Sequence, residues 1–118
     1  MPTKAFFVLR LNDHILYLKK IEKTLAGTGD FQGTDCQNCK LGQWLYGEGP
    51  AEVASMNHPE AQALFDSLFE PHKQFHQVSH EAIAKAKAGD TDGARAAATQ
   101  MYVLSNTISQ KLLALDKF

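Results

Sequence analysis

Residues 7–25 read Phe-Val-Leu-Arg-Leu-Asn-Asp-His-Ile-Leu-Tyr-Leu-Lys-Lys-Ile-Glu-Lys-Thr-Leu, and the period of their apolar side chains decides the fold class. Phe7, Leu11, His14, Leu18, Ile21 and Leu25 recur at spacings of four and three, with Val8, Ile15 and Glu22 beside them and Lys19, Lys20 and Lys23 elsewhere. That is one face of an α-helix and not the alternation of a strand. The spacing predicts a helix over about residues 4–26, stopped by Gly27 and followed by a polar, glycine-rich loop to Asp35.

The rest of the chain repeats the pattern. A short helix is expected from Asn38 or Cys39 to Tyr46, with Leu41, Trp44 and Leu45 on one side and Gly47 to Pro50 breaking it. Residues 51–57 add a turn or two before Asn57-His58-Pro59. A helix over about 59–88 follows, with Leu64, Leu68, His72, Phe75, Ser79, Ala82 and Ala86 inward. Pro71 inside it predicts a kink or two helices nearly end to end. Gly89 to Asp92 starts a last helix, about 91–116, with Ala94, Ala98, Met101, Leu104, Ile108, Leu112 and Leu115 on one stripe. No segment reads as a strand. The expected fold is therefore all-α, an antiparallel four-helix bundle with an additional short helix, forming a single domain over residues 1–118.

Composition narrows the function. The chain has 118 residues, 44% hydrophobic and 21% charged, enough to bury a core without disulfides or a structural metal. Twelve basic against thirteen acidic side chains leave a net charge of -1 and no basic block, which argues against a nucleic-acid partner. The first residues lack the apolar core of a signal peptide, and no apolar run approaches the length of a membrane span, so a soluble cytoplasmic domain is expected.

Against this background stand two cysteines and five histidines. His14 lies where the stripe asks for Leu or Ile. Alone it reads more readily as a hydrogen-bonded core residue than as a ligand. His72, His76 and His80 fall at successive i, i+4 steps, and such a pair presents two ring nitrogens to one ion. Cys36 and Cys39 form Cys-Gln-Asn-Cys before a helix start, where free amides and the helix dipole favour a thiolate, so Cys39 is expected to be the more acidic thiol. The chain lacks the strands of a thioredoxin-like pair and the close histidines of a zinc finger. One thiolate and up to three imidazoles from three helices make a closed donor set that suits Zn²⁺. Iron would ask for carboxylates, and the inward stripes offer little beyond Glu22 and Asp13.

Asn12-Asp13-His14, the run Cys39-Lys40-Leu41-Gly42-Gln43-Trp44-Leu45-Tyr46, and Pro71-His72-Lys73-Gln74-Phe75-His76 occur in this order, and with them the chain resembles the chemoreceptor zinc-binding domain over about residues 5–115. The resemblance implies one zinc per chain held by His14, Cys39, His72 and His76. It also implies a helical homodimer attached to or associated with a cytosolic chemotaxis receptor or diguanylate cyclase, and a regulatory sensor without enzymatic activity. Oxidants such as hypochlorous acid, acting at the thiolate, are the expected signal. The alternative is a zinc-level sensor whose occupancy itself controls an output domain. A hydrolytic zinc enzyme needs an open coordination position, which four protein ligands do not leave.

Other residues take supporting roles in this expectation. Cys36 is a candidate redox partner able to resolve an oxidised Cys39 as a disulfide. Asp13 and His80 are candidate outer partners of the ligands, Leu41 and Trp44 support the cysteine helix, and Gly42 lets that helix lie close against the long ones. His58 is expected to be exposed in a turn.

Overall fold

The computed structural model describes residues 3–118, with side chains described from Phe7 onward. Six helices follow in order: α1 Thr3–Leu25, α2 Lys40–Leu45, α3 Gly49–Ala54, α4 Pro59–Asp66, α5 Phe69–Lys87 and α6 Thr91–Asp116. Among the described residues there is no strand, so the chain is all-α as its periodicity implied. The long members of the bundle are α1, α5 and α6, giving a body 49 × 20 × 19 Å. The segment between α1 and α5 is cut into three short helices.

Local chemistry sets the boundaries. After α1, Gly27 adopts a φ of +82°, and the Thr28 amide donates to the Lys23 carbonyl at 2.9 Å, which turns the chain off the helix axis. Gly89 repeats this conformation after α5, and the Asp90 carboxylate then caps α6 by accepting from the Gly93 amide at 2.9 Å. The tight turn makes α5 and α6 antiparallel. His14 and Glu22 of α1 meet Ser105 and Tyr102 of α6, so α1 also runs against α6.

The expected helix over 59–88 is two helices nearly end to end, broken at Ser67 and Leu68. A proline ring crowds the carbonyl four residues earlier, and four before Pro71 is Ser67. Pro71 itself sits in the first turn of α5, where its missing N–H leaves nothing unpaired, and the His72 amide donates to the Leu68 carbonyl at 3.1 Å. The break lets Leu68 turn fully inward.

One contiguous core joins the elements, including Ile21, Leu41, Leu45, Phe65, Leu68, Phe75, Met101, Ile108, Leu112 and Leu115. Leu11, Leu18 and Leu25 pack at its margin, whereas Tyr17 is buried. Ala86, expected inward, is exposed, and Ile83 takes the inward position on that turn. The three short helices are pinned by Trp44, whose ring meets Phe7 of α1 and Phe65 of α4 edge-on at 5.9 and 5.5 Å and whose Nε1–H donates to Glu52 of α3 at 3.0 Å.

Candidate metal centre

Three elements bring ligand-type atoms together. On α5, His72 and His76 share a face one turn apart, with ring centroids 4.8 Å from each other. Cys39 is the N-cap of α2, and its Sγ accepts from the Gly42 amide at 3.2 Å and lies 3.3 Å from His72 Nε2. One donor atom from each of Cys39, His72 and His76 lies within 4.8 Å of the other two, and all three residues are buried.

Two ring nitrogens in this cluster are orphaned. His72 Nδ1 and His76 Nε2 are buried without a hydrogen-bond partner. A buried polar atom without a partner is disfavoured by about 1–3 kcal/mol, so its persistence points to a missing partner. For His76 the proton position follows from the other nitrogen: Nδ1–H donates to the Thr34 carbonyl at 2.9 Å, which leaves a lone pair on Nε2. A buried, partnerless lone pair beside a thiol and a second imidazole fits a cation. Sulfur and imidazole donors together match zinc.

The electrostatics agree. Burial, aided by the neighbouring histidines, pulls His72 down to about 3; burial and His76 pull His14 down to about 4. His76 is also lowered to about 4, chiefly by burial and against the effect of its Thr34 bond. All three imidazoles are therefore neutral at pH 7, the form in which they coordinate. Burial pushes the Cys39 thiol up to about 11, against the Gly42 amide that favours the thiolate. The expectation of an acidic Cys39 thus fails for the chain's own field: backbone amides at the start of the six-residue helix, Gly42 foremost, favour the thiolate, and burial outweighs them. A divalent cation held by Cys39 and the histidines would favour the thiolate instead.

A family model described as the chemoreceptor zinc-binding domain matches residues 14–83. The chain belongs to this family. No curated protein and no solved structure matches it. The matched stretch of this zinc-binding domain begins at His14 and includes Cys39, His72 and His76; it is shorter than the 5–115 that the motifs suggested and stops before α6.

The structure distributes the remaining sequence-derived residues unevenly. His14 is buried against Phe75, with ring centroids 4.7 Å apart, but its Nε2 shares a 2.8 Å hydrogen bond with Ser105 Oγ of α6 and lies outside the three-residue cluster. His80 is exposed, yet its Nε2–H donates at 2.8 Å to the same Thr34 carbonyl that holds His76. Asp13 forms its ion pair with Arg10 at 3.3 Å. Cys36 is half-buried, its Sγ 3.8 Å from Tyr46 Oη, and the turn containing it stays non-helical because α2 begins only at Lys40.

Two further expectations need correction. Gly42 does not serve the approach of α2 to the long helices. A Cβ there would collide with the Cys36 carbonyl, so this glycine serves the turn that leads into Cys39. His58 is half-buried: its Nδ1 accepts from the Ala61 amide at 3.4 Å as the cap of α4, and its ring stacks edge-on with Phe118 at 4.4 Å.

Three functional neighbours escaped the sequence. Tyr17 Oη accepts from the Thr34 amide at 2.8 Å and lies 3.2 Å from His76 Nδ1, tying α1, the loop and α5 together. Its place between His14 and Ile21 on the helical period was the available signal. Ser105, a polar residue between Met101 and Ile108 on the inward stripe, carried the same signal as His14. Thr34 carried none, since it acts through its backbone carbonyl.

Proposed function

We propose that this domain is a regulatory zinc sensor of bacterial signalling, one ion per chain, in which Cys39, His72 and His76 hold the metal and His14 supplies the fourth donor by exchanging its bond to Ser105. The observation that carries the proposal is the convergence of three buried ligand atoms with two partnerless ring nitrogens. The nearness of His14 to both ligand histidines, felt in the lowering of its own and the His72 ionisation, supports its inclusion. Zinc, when bound, supplies the charge that keeps the Cys39 thiol ionised and nucleophilic.

The chain's residues do the rest. Thr34 and Tyr17 fix the His76 ring with its Nε2 lone pair inward. Long helices carry the histidines, while Cys39 rides on a short helix between glycine-containing segments and is the ligand free to move. Hypochlorous acid as oxidant converts the thiolate to a sulfenic acid and releases chloride. The Cys36 thiol then attacks the Cys39 sulfur, forming the disulfide and expelling water. Departure of Cys39 loosens Leu41 and Trp44 and alters the surface offered to a second subunit or an attached receptor or cyclase domain. Exposed Val8, Leu9, Tyr102, Val103 and Leu113 on α1 and α6 support a partner surface in a cytoplasmic homodimer. No helix among the described residues is long and apolar enough to cross a membrane.

The reading predicts that mild hypochlorous acid releases zinc in step with loss of the Cys39 thiol, measured by a metallochromic dye and mass spectrometry. Zinc release without modification of Cys39 contradicts it. A purely metal-level sensor is the second reading, favoured by the His14–Ser105 bond, which gives His14 an alternative partner to a metal. Affinity separates the two, because a site always saturated answers only to thiol chemistry.

A further inference from the structure

A cleft of about 440 Å³ opens between α1 and the loop that carries Thr34 and Cys39, next to the metal centre and sharing only Cys39 with it. Its wall is largely apolar. Leu16 and Tyr17 come from α1, and Phe31 comes from the loop, its ring edge-on to Tyr17 at 5.3 Å. Its rim is cationic: Lys20 and Lys23 from one face of α1 and Lys40 from the start of α2 line it, all exposed. Lys20 Nζ stands over the Phe31 ring, 5.4 Å from its centre. The one acid that lines the cleft, Asp13, is already paired with Arg10 at 3.3 Å. In a chain with a net charge of -1, this concentration of unopposed lysines around an aromatic wall is local.

We propose that the cleft is a binding site for a small organic anion with a flat apolar body, the body lying against Phe31, Tyr17 and Leu16 and the anionic group meeting Lys20, Lys23 and Lys40. Its volume suits a ligand of modest size, and an apolar wall with a few convergent charges is the usual anatomy of such sites. Thr34 and Cys39 line the same cleft. An occupant therefore rests on the segment whose carbonyl holds His76 and whose thiol belongs to the metal cluster, and it slows the departure of Cys39. This last step rests on the zinc reading above; the binding itself does not.

The test uses 1-naphthalenesulfonate as probe, with zinc content measured in every sample. Isothermal titration should show one saturable site per chain, roughly tenfold weaker in the Lys20→Gln/Lys23→Gln double variant. The neutral probe 1-naphthalenemethanol should bind more weakly than the sulfonate. Amide shifts in NMR should cluster at residues 16–23 and 31–40. The lysines are exposed, so the variant is expected to keep its circular dichroism and zinc content. Non-saturable binding, equal binding of the neutral probe, or shifts centred elsewhere overturns the site. Sulfonate that binds yet leaves the rate of oxidant-driven zinc release unchanged upholds the site while removing its link to the metal.

Discussion

His14 and Ser105 are two polar residues set into apolar stripes, and each is the other's partner at 2.8 Å. If His14 is to reach the metal, that bond competes with coordination. Ser105→Ala is therefore expected to leave zinc affinity unchanged or raise it a few-fold, and His14→Ala to lower it by about tenfold to a hundredfold, read by competition with a chromophoric chelator. A loss of zinc binding in Ser105→Ala would show that the hydroxyl supports the site instead. The buried histidines also set a pH dependence. Unfolded, they titrate near 6.5; folded and metal-free, His72 does so at about 3 and His14 and His76 at about 4. Between those values the unfolded chain takes up protons that the folded chain refuses, so the stability of the metal-free protein falls as pH drops from about 6.5 towards 4. Urea midpoints at pH 7 and pH 5 measure this, and His72→Gln should flatten the slope. The ligand types at this scale were legible from spacing alone, because i, i+4 histidines must share a face. Thr34 was not, because a carbonyl has no sequence signature.

The cysteine helix depends on one close approach at the level of its turn. Gly42 faces the Cys36 carbonyl, which belongs to backbone and cannot rotate aside. Gly42→Ala is expected to displace the turn 36–38, to destabilise the fold by about 1–3 kcal/mol and to weaken zinc binding by at least about tenfold. Gly27→Ala provides the contrast. A Cβ there meets nothing within 4 Å, but φ is +82°, so about 1 kcal/mol of stability is lost while zinc binding persists. Equal zinc affinities in the wild type and Gly42→Ala would detach the turn from the metal site. Helix existence was readable from the 3.6-residue period throughout the chain. The break was half readable: Pro71 announces it, but its position at Ser67 follows from which carbonyl the ring crowds.

For the whole molecule, the core spans all six helices without any metal, from Phe7 to Leu115. The metal-free protein is accordingly expected to stay helical, with zinc raising its melting temperature by roughly 10 °C when present far above its dissociation constant. Collapse of the far-ultraviolet circular dichroism on chelation would mean that the ion is structural. The bundle was legible as a class, but the route of residues 40–66 was not, since glycine, proline and short apolar runs announce breaks without giving directions. Ser105 on α6 lies beyond the stretch that the family model matches, residues 14–83, and reaches the site through its bond to His14. The central claim is that the Cys39 thiolate and the α5 histidines hold one zinc. Metal analysis of the purified protein beside Cys39→Ala, with competition affinities for both, tests it directly: one zinc per chain in the wild type and an affinity at least about a hundredfold lower in the variant are predicted, whereas full zinc content at undiminished affinity without Cys39 would contradict the account.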